Sequence, residues 1–272
     1  MRIPLRAKGN DAMNTWQGSM VVLAAAAGIA VSAVTGMRNL ELYVLTFLIL
    51  GLAAAAMKKV QAIHITLFCF FLSLFYIAAP PFLHTWPFRL LLPLVLYAMA
   101  TLSIPALRRS VFWLRLGRLD RRTLSMVMIT CILSGVFLVL WVVLLEPSMD
   151  VYAGQVPKLP LWALVLSGIF FALFNAAIEE AVFRGIFLQA MDSTPLQGRG
   201  ALIVQGALFG LMHFAQGFPR GIEGAIMAGA YGMALGSLCR MSGGLLAPWI
   251  AHVFADIVIF ALIIHHMPKA AP

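Results

Sequence analysis

The stretch 161-LWALVLSGIFFALFNAAIEEAVFRGIFLQA-190 decides the fold. Its only ionisable residues are Glu179, Glu180 and Arg184, and they share one short segment. A helix at the surface of a soluble protein would carry a polar face along its whole length, and this one does not. About twenty consecutive apolar residues suffice to cross the hydrocarbon of a bilayer. Outward from this run the same texture recurs. Nine apolar segments are expected as helices, at 19–35, 39–57, 62–79, 88–106, 124–145, 161–190, 201–217, 222–240 and 244–265. The predicted fold is therefore all-α, a polytopic membrane helix bundle of eight or nine transmembrane helices. The chain is 62% apolar and 11% charged, against about 25% charged in a typical soluble domain. No stretch remains for a separate soluble domain.

The net charge of +9 is not spread evenly. Arg108, Arg109, Arg115, Arg118, Arg121 and Arg122 fall in one loop, 107–123, while Arg2, Arg6, Lys8, Lys58 and Lys59 flank alternate membrane ends. With the N-terminus inside, thirteen of the nineteen Lys and Arg residues lie in cytoplasmic segments. This is the asymmetry by which loop Lys and Arg set orientation. The basic loop, with Phe112, Trp113 and Leu116 interleaved, suits an interfacial segment against anionic lipid. A nucleic-acid partner is not expected, because no folded domain carries the charge. The expected location is the cell membrane, with the N-terminus cytoplasmic. The first apolar run, Met20 to Ala33, follows basic residues and ends in Val31-Ser32-Ala33. That pattern is shared with cleaved signal peptides. It is read as a retained helix because the rest of the chain is membrane-embedded too.

Cys69, Cys131 and Cys239 show no paired spacing and suggest neither a disulfide framework nor a zinc knuckle. His64, beside Lys58 and Lys59, and His84, in the Pro80–Pro87 turn, read as interfacial histidines; His265 and His266 read as tail residues. No internal repeat is evident. The chain divides into 1–155, helices with few ionisable groups plus the basic loop, and 156–272, a candidate catalytic core.

In that core three elements stand out. Glu180 and Arg184 are four apart on one helix face and can pair, while Glu179 points about 100° away toward another partner. His213 lies in the next apolar run, and His252 with Asp256, four apart, in the last. Charged groups in hydrocarbon cost several kcal/mol each, so a cluster of them marks chemistry or an ion path. A buried carboxylate can act as general base for water, and imidazoles can orient that water or stabilise an oxyanion; these are the parts of a peptide hydrolase. Gly206 and Gly210, and the series Gly224, Ala228, Gly232 and Gly236, are small residues at four-residue spacing. They let helix backbones approach closely enough to bring three segments together.

Glu-Glu-x-x-x-Arg from Glu179 to Arg184, Phe209-x-x-x-His213 and His252-x-x-x-Asp256, in this order, resemble the CAAX prenyl protease and bacteriocin-processing family of intramembrane endopeptidases. The stretch from Gly232-x-x-x-Gly236 through Ser242-Gly-Gly-Leu-Leu-Ala-Pro-Trp-Ile-Ala-His252 is similar to that family's approach to its last motif. The likeness runs from about Leu161 to His265. It implies that Glu179 and His213 activate the attacking water, that Glu180 and Arg184 support the site, and that His252 with the next polar residue stabilises the oxyanion. An Asn at the last position donates a hydrogen bond, which an ionised Asp does not. Asp256 must therefore be protonated, orient His252, or help hold a metal.

The family is described both as metal-dependent and as glutamate-dependent. A mechanism without a cofactor is favoured here. The alternative is Zn2+ held by Glu179, His213, His252 and Asp256, since catalytic zinc commonly takes three N or O ligands and keeps one position open. The implied function is hydrolysis of a membrane-associated peptide or protein substrate, in maturation or in removal of a sorting tag. The implied surroundings are membrane lipid, and an abundance of Ala with Arg over Lys hints at a bacterial inner membrane. Two other functions remain: an ion- or proton-coupled transporter, and a non-catalytic immunity or scaffold relative. Buried Glu, His and Arg suit the first, although the repeat symmetry common in carriers is missing.

Overall fold

The computed structural model describes residues 10–35, 39–111, 114–154, 156–157 and 159–266, with the side chains of 10–15 and 215 not described. Arg2, Arg6 and Lys8, together with Phe112 and Trp113 of the basic loop, lie outside the described residues.

Nine long helices form where apolar runs were expected: α1 Asn10–Thr35, α2 Leu40–Ala56, α3 Val60–Ala78, α4 Phe88–Ser103, α5 Arg121–Leu145, α6 Leu161–Glu180, α7 Arg199–Ala215, α8 Gly221–Ser242 and α9 Leu246–His265. Among the described residues there is no strand. Six helical segments are long and apolar enough to cross a membrane; α2 and α4 are shorter apolar helices. The chain is an integral membrane protein. Its exposed side chains along α5 and α6, such as Leu133, Phe137, Leu166 and Phe170, are apolar, as lipid-facing surfaces require.

The α6 run departs from expectation in one respect. After Glu180 it continues as a π-helical turn, Ala181–Phe187, before a last α-turn at Leu188–Asp192. A π turn inserts an extra residue into the helical register and is found mostly at functional sites. Here it carries Arg184.

Polar groups mark the helix ends. The Asp120 carboxylate accepts from Thr123 N (2.8 Å) and caps α5. That backbone bond is the main reason its carboxyl sits below the ordinary aspartate value. At the end of α8, Arg240 pairs with Asp192 and donates to Gly198 O (2.6 Å), tying α8 to the α6–α7 connection.

α7 and α8 make the most intimate pair. A Cβ on Gly206 would lie 2.8 Å from Gly229 O, and one on Gly232 3.2 Å from Gly206 Cα, so the two backbones touch. The small-residue series thus works as expected, but Gly229, at the crossing itself, was not among the residues singled out. α9 packs between α5 and α6 and also against α8.

The basic loop is more than a segment resting on lipid. Arg118 N donates to Ser242 O (2.9 Å), Leu245 N to Arg115 O (2.8 Å) and Leu246 N to Leu116 O (3.1 Å). Gly117, at φ +81°, lies against the Gly244 backbone, where a side chain would collide. The loop therefore anchors the turn from which α9 starts.

His64, read as interfacial, is buried within the protein. It is 3% exposed, with Nδ1 2.6 Å from Tyr97 Oη and Nε2 2.8 Å from Ser110 Oγ. The turn at Lys58 and Lys59 is tight, with Lys59 N bonded to Ala54 O, so one helical turn later the chain already faces the core. His84 is half-buried against Phe75 and Tyr76. His265 and His266 are exposed, as expected of tail residues.

Candidate active site

Three helices and one turn deliver the ionisable groups of the site. Glu179 and Glu180 end α6, Arg184 sits in the π turn, His213 is in the last turn of α7, and His252 and Asp256 lie one turn apart near the start of α9. Because α6 and α9 pack together, the two glutamates meet the His252 ring from opposite sides.

His252 Nδ1 is 2.7 Å from Glu180 Oε1, while Nε2 is 3.7 Å from Glu179 Oε2 and 3.8 Å from Asp256 Oδ1. A carboxylate only accepts, so Nδ1 carries a hydrogen and donates to Glu180. Nε2 then faces two carboxyl groups across gaps too long for a direct hydrogen bond. Glu179 Oε2 has no protein hydrogen-bond partner. The His252 ring is fixed edgewise by Phe209 and Tyr231, and Tyr231 in turn donates to Ala251 O (2.8 Å).

The expected Glu180–Arg184 pair forms, with Nη1 3.0 Å from Oε1 and both side chains fully buried. The Nη1 hydrogens do not point at the carboxylate, so Nη1 has no hydrogen bond and the contact is electrostatic. Arg184 also donates from Nη2 to Gly232 O (3.3 Å) and lies 4.8 Å over the Phe209 ring. The guanidinium is thereby held by a charge, a carbonyl and an aromatic face together. Gly232 belongs to the small-residue series, so the close approach of α7 and α8 also supplies this carbonyl.

His213 lines the same cavity but makes no direct pair with either glutamate; its Nδ1 donates to Phe209 O of its own helix (3.0 Å). In the neutral ring this leaves Nε2 as an acceptor.

Asp256 is held by residues the sequence did not single out for a role. Trp86 Nε1 donates to Asn175 Oδ1 (3.0 Å), and Asn175 Nδ2 donates to Asp256 Oδ2 (3.1 Å). Indole is a donor only, so it dictates which way the Asn175 amide faces and makes that amide a donor to Asp256. Asn175 lies one helical turn before Glu179, and that shared face was a signal available in the sequence. Trp86, in the turn before α4, gave none.

Trp86, Asn175, Glu179, His213, His252 and Asp256 line one cavity of about 1240 Å³, walled largely by apolar and aromatic side chains, and Glu180 and Arg184 stand behind it. Zinc ligands at about 2.0–2.1 Å in a tetrahedral arrangement lie about 3.4 Å apart. His252 Nε2 stands farther than that from both carboxylates. Among the described residues no group of three or more His, Cys, Asp or Glu is arranged to hold a metal ion.

Residues 160–258 match the family model described as Type II CAAX prenyl endopeptidase Rce1-like. No curated protein and no solved structure matches the chain. Those residues hold every ionisable group of the site, and over them the chain is similar to the CAAX protease family.

Proposed function

We propose that the protein is an intramembrane endopeptidase that hydrolyses a peptide bond of a membrane-associated substrate, with Glu179 as the base. The observation that carries this reading is the Glu179 carboxylate itself. It is buried, unbonded at Oε2 and 3.7 Å from His252 Nε2 inside an apolar cavity. A water beside Glu179 Oε2 gives it one proton and donates its other hydrogen toward His213 Nε2. The water oxygen attacks the scissile carbonyl carbon, and the C=O electron pair moves onto oxygen. His252, braced through Nδ1–H on Glu180, donates from Nε2–H to that oxyanion when it carries both ring protons. Asp256 in its protonated form is the second donor, oriented by Asn175. The intermediate then collapses, the C–N bond breaks, and Glu179 returns its proton to the departing amine. Glu180 and Arg184 hold the His252 ring in place.

Preorganised donors aimed at a developing oxyanion supply much of the rate in acyl transfer, and a positioned base adds about 10²–10⁴-fold. The reaction proceeds without metal, in the bacterial inner membrane, during protein maturation or removal of a sorting tag. The test is hydrolysis of a membrane-tethered peptide library in H2(18)O by purified protein. One heavy oxygen at each new C-terminus is expected from the wild type, with loss of about 100-fold or more in Glu179→Gln. Wild-type rates from Glu179→Gln would remove the assignment.

A further inference from the structure

The cavity and the positive charge lie at opposite ends of the bundle. One end gathers Lys58, Lys59, the loop from Arg108 to Arg122, Arg199 and Arg240; backbone bonds from the loop to Ser242–Leu246 and the Arg240–Asp192 pair hold these segments together. The other end holds the turn before α4, the segment between α5 and α6, and the turn between α7 and α8. Among the described Lys and Arg residues, only Arg89 and Arg220 stand there.

Every loop that lines the cavity belongs to this second end: His84, Thr85, Trp86, Tyr152, Phe218 and Arg220 are representative. No residue of the basic loops lines it. Toward the basic end the lining stops inside the helices, at His252 and Ala234. By the helical rise these lie about 9 and 12 Å from the nearer helix ends. The cavity is thus closed toward the basic end and open toward the other, and its lining residues Leu133, Phe137 and Phe170 also border lipid. Trp86 and Tyr152 at its rim, and exposed Trp162 at the start of α6, are the residue types that sit at a membrane–water interface.

Loop Lys and Arg are retained on the cytoplasmic side. We infer that the well opens to the extracytoplasmic face, so that the site takes its substrate from proteins already carried across the membrane. The inference builds on the proteolysis reading, and it also limits the substrate's form. From Ile263, near the mouth, to His252 is eleven residues of α9, about 16 Å. An extended chain covers that depth in about five residues. The substrate class is a membrane-anchored protein with at least about five extendable residues on its outer flank.

The experiment uses the full chain with Cys69, Cys131 and Cys239 replaced by Ala, carrying either Thr85→Cys at the mouth or Leu116→Cys in the basic loop. Intact cells are treated with a membrane-impermeant maleimide. Thr85→Cys should react at once, and Leu116→Cys only after permeabilisation; the reverse pattern overturns the proposal. In proteoliposomes, cleavage of membrane-tethered peptides is expected only when they are displayed on the face from which Thr85→Cys reacts. The bulky adduct at Thr85→Cys should lower turnover at least 10-fold relative to the same variant before modification. The adduct at Leu116→Cys should leave turnover unchanged. Cleavage from the basic face alone overturns the substrate assignment. With the expected labelling but no cleavage from either face, the proteolysis reading falls and the sidedness of the mouth stands.

Discussion

Two buried histidines show how differently two regions of this molecule treat a polar side chain. His64, in the N-terminal half, has both ring nitrogens within hydrogen-bond distance of neutral hydroxyls, those of Tyr97 and Ser110. His252, in the C-terminal half, is bonded to one carboxylate and faces two others across gaps of 3.7 and 3.8 Å. Glu179 Oε2, Glu180 Oε2 and two nitrogens of Arg184 near it have no hydrogen-bond partner. A satisfied buried polar group specifies packing, whereas an unsatisfied one costs about 1–3 kcal/mol and survives where function requires it. The surroundings of His64 are built as scaffold and those of His252 as site.

The comparison can be broken in several ways. The largest effect is expected at Arg184. Arg184→Met strips Glu180 of its buried counter-charge, and loss of one partner of a buried pair costs about 3–5 kcal/mol. Thermal unfolding in detergent should show a clearly lowered Tm, with activity falling alongside. A stable and active Arg184→Met protein would mean the ion pair supports nothing.

A smaller effect belongs to the scaffold histidine. His64→Leu leaves the Tyr97 hydroxyl without its ring partner, while Ser110 keeps its bond to Leu107 O. A loss of about 1–2 kcal/mol is expected, with kcat and KM of the folded protein unchanged. A kcat effect at His64 would erase the distinction between the two histidines.

Asp256→Asn should have the smallest effect. The amide keeps a donor where the protonated acid has one and cannot lose it, so activity should stay within several-fold and extend to higher pH. It should also resist chelators. Stoichiometric zinc in the purified wild type, together with an inactive Asp256→Asn variant, would overturn the metal-free chemistry, because a neutral amide is a poorer ligand than a carboxylate.

The helices were legible because hydropathy is a local property. All nine expected segments became helices, with ends shifted by a few residues except at the start of α1, which begins nine residues earlier, and the spacing of Glu180 and Arg184 was enough to foresee their pair. Tertiary geometry was not legible. Trp86 and Asn175 are 89 positions apart, and nothing in either segment announces their hydrogen bond. The π turn at Ala181–Phe187 is a matter of register, which an apolar run does not encode. Gly229 matters because of where α7 crosses α8. The burial of His64 was not legible, because it depends on the tight turn after Lys58 and Lys59 that sends the helix straight into the core. The two glutamates' different partners were foreseen, but that His252 stands between them was not, since it requires knowing which faces of α6 and α9 meet.

The most direct measurement is the Tm of purified Glu179→Gln set beside its turnover of a membrane-tethered peptide. If Glu179 is an unsatisfied group kept for chemistry, the variant loses its activity while its Tm stays equal to or above that of the wild type, since a neutral amide is cheaper to bury than a carboxylate. A lowered Tm, with activity per folded molecule intact, would make Glu179 a part of the scaffold and contradict the account.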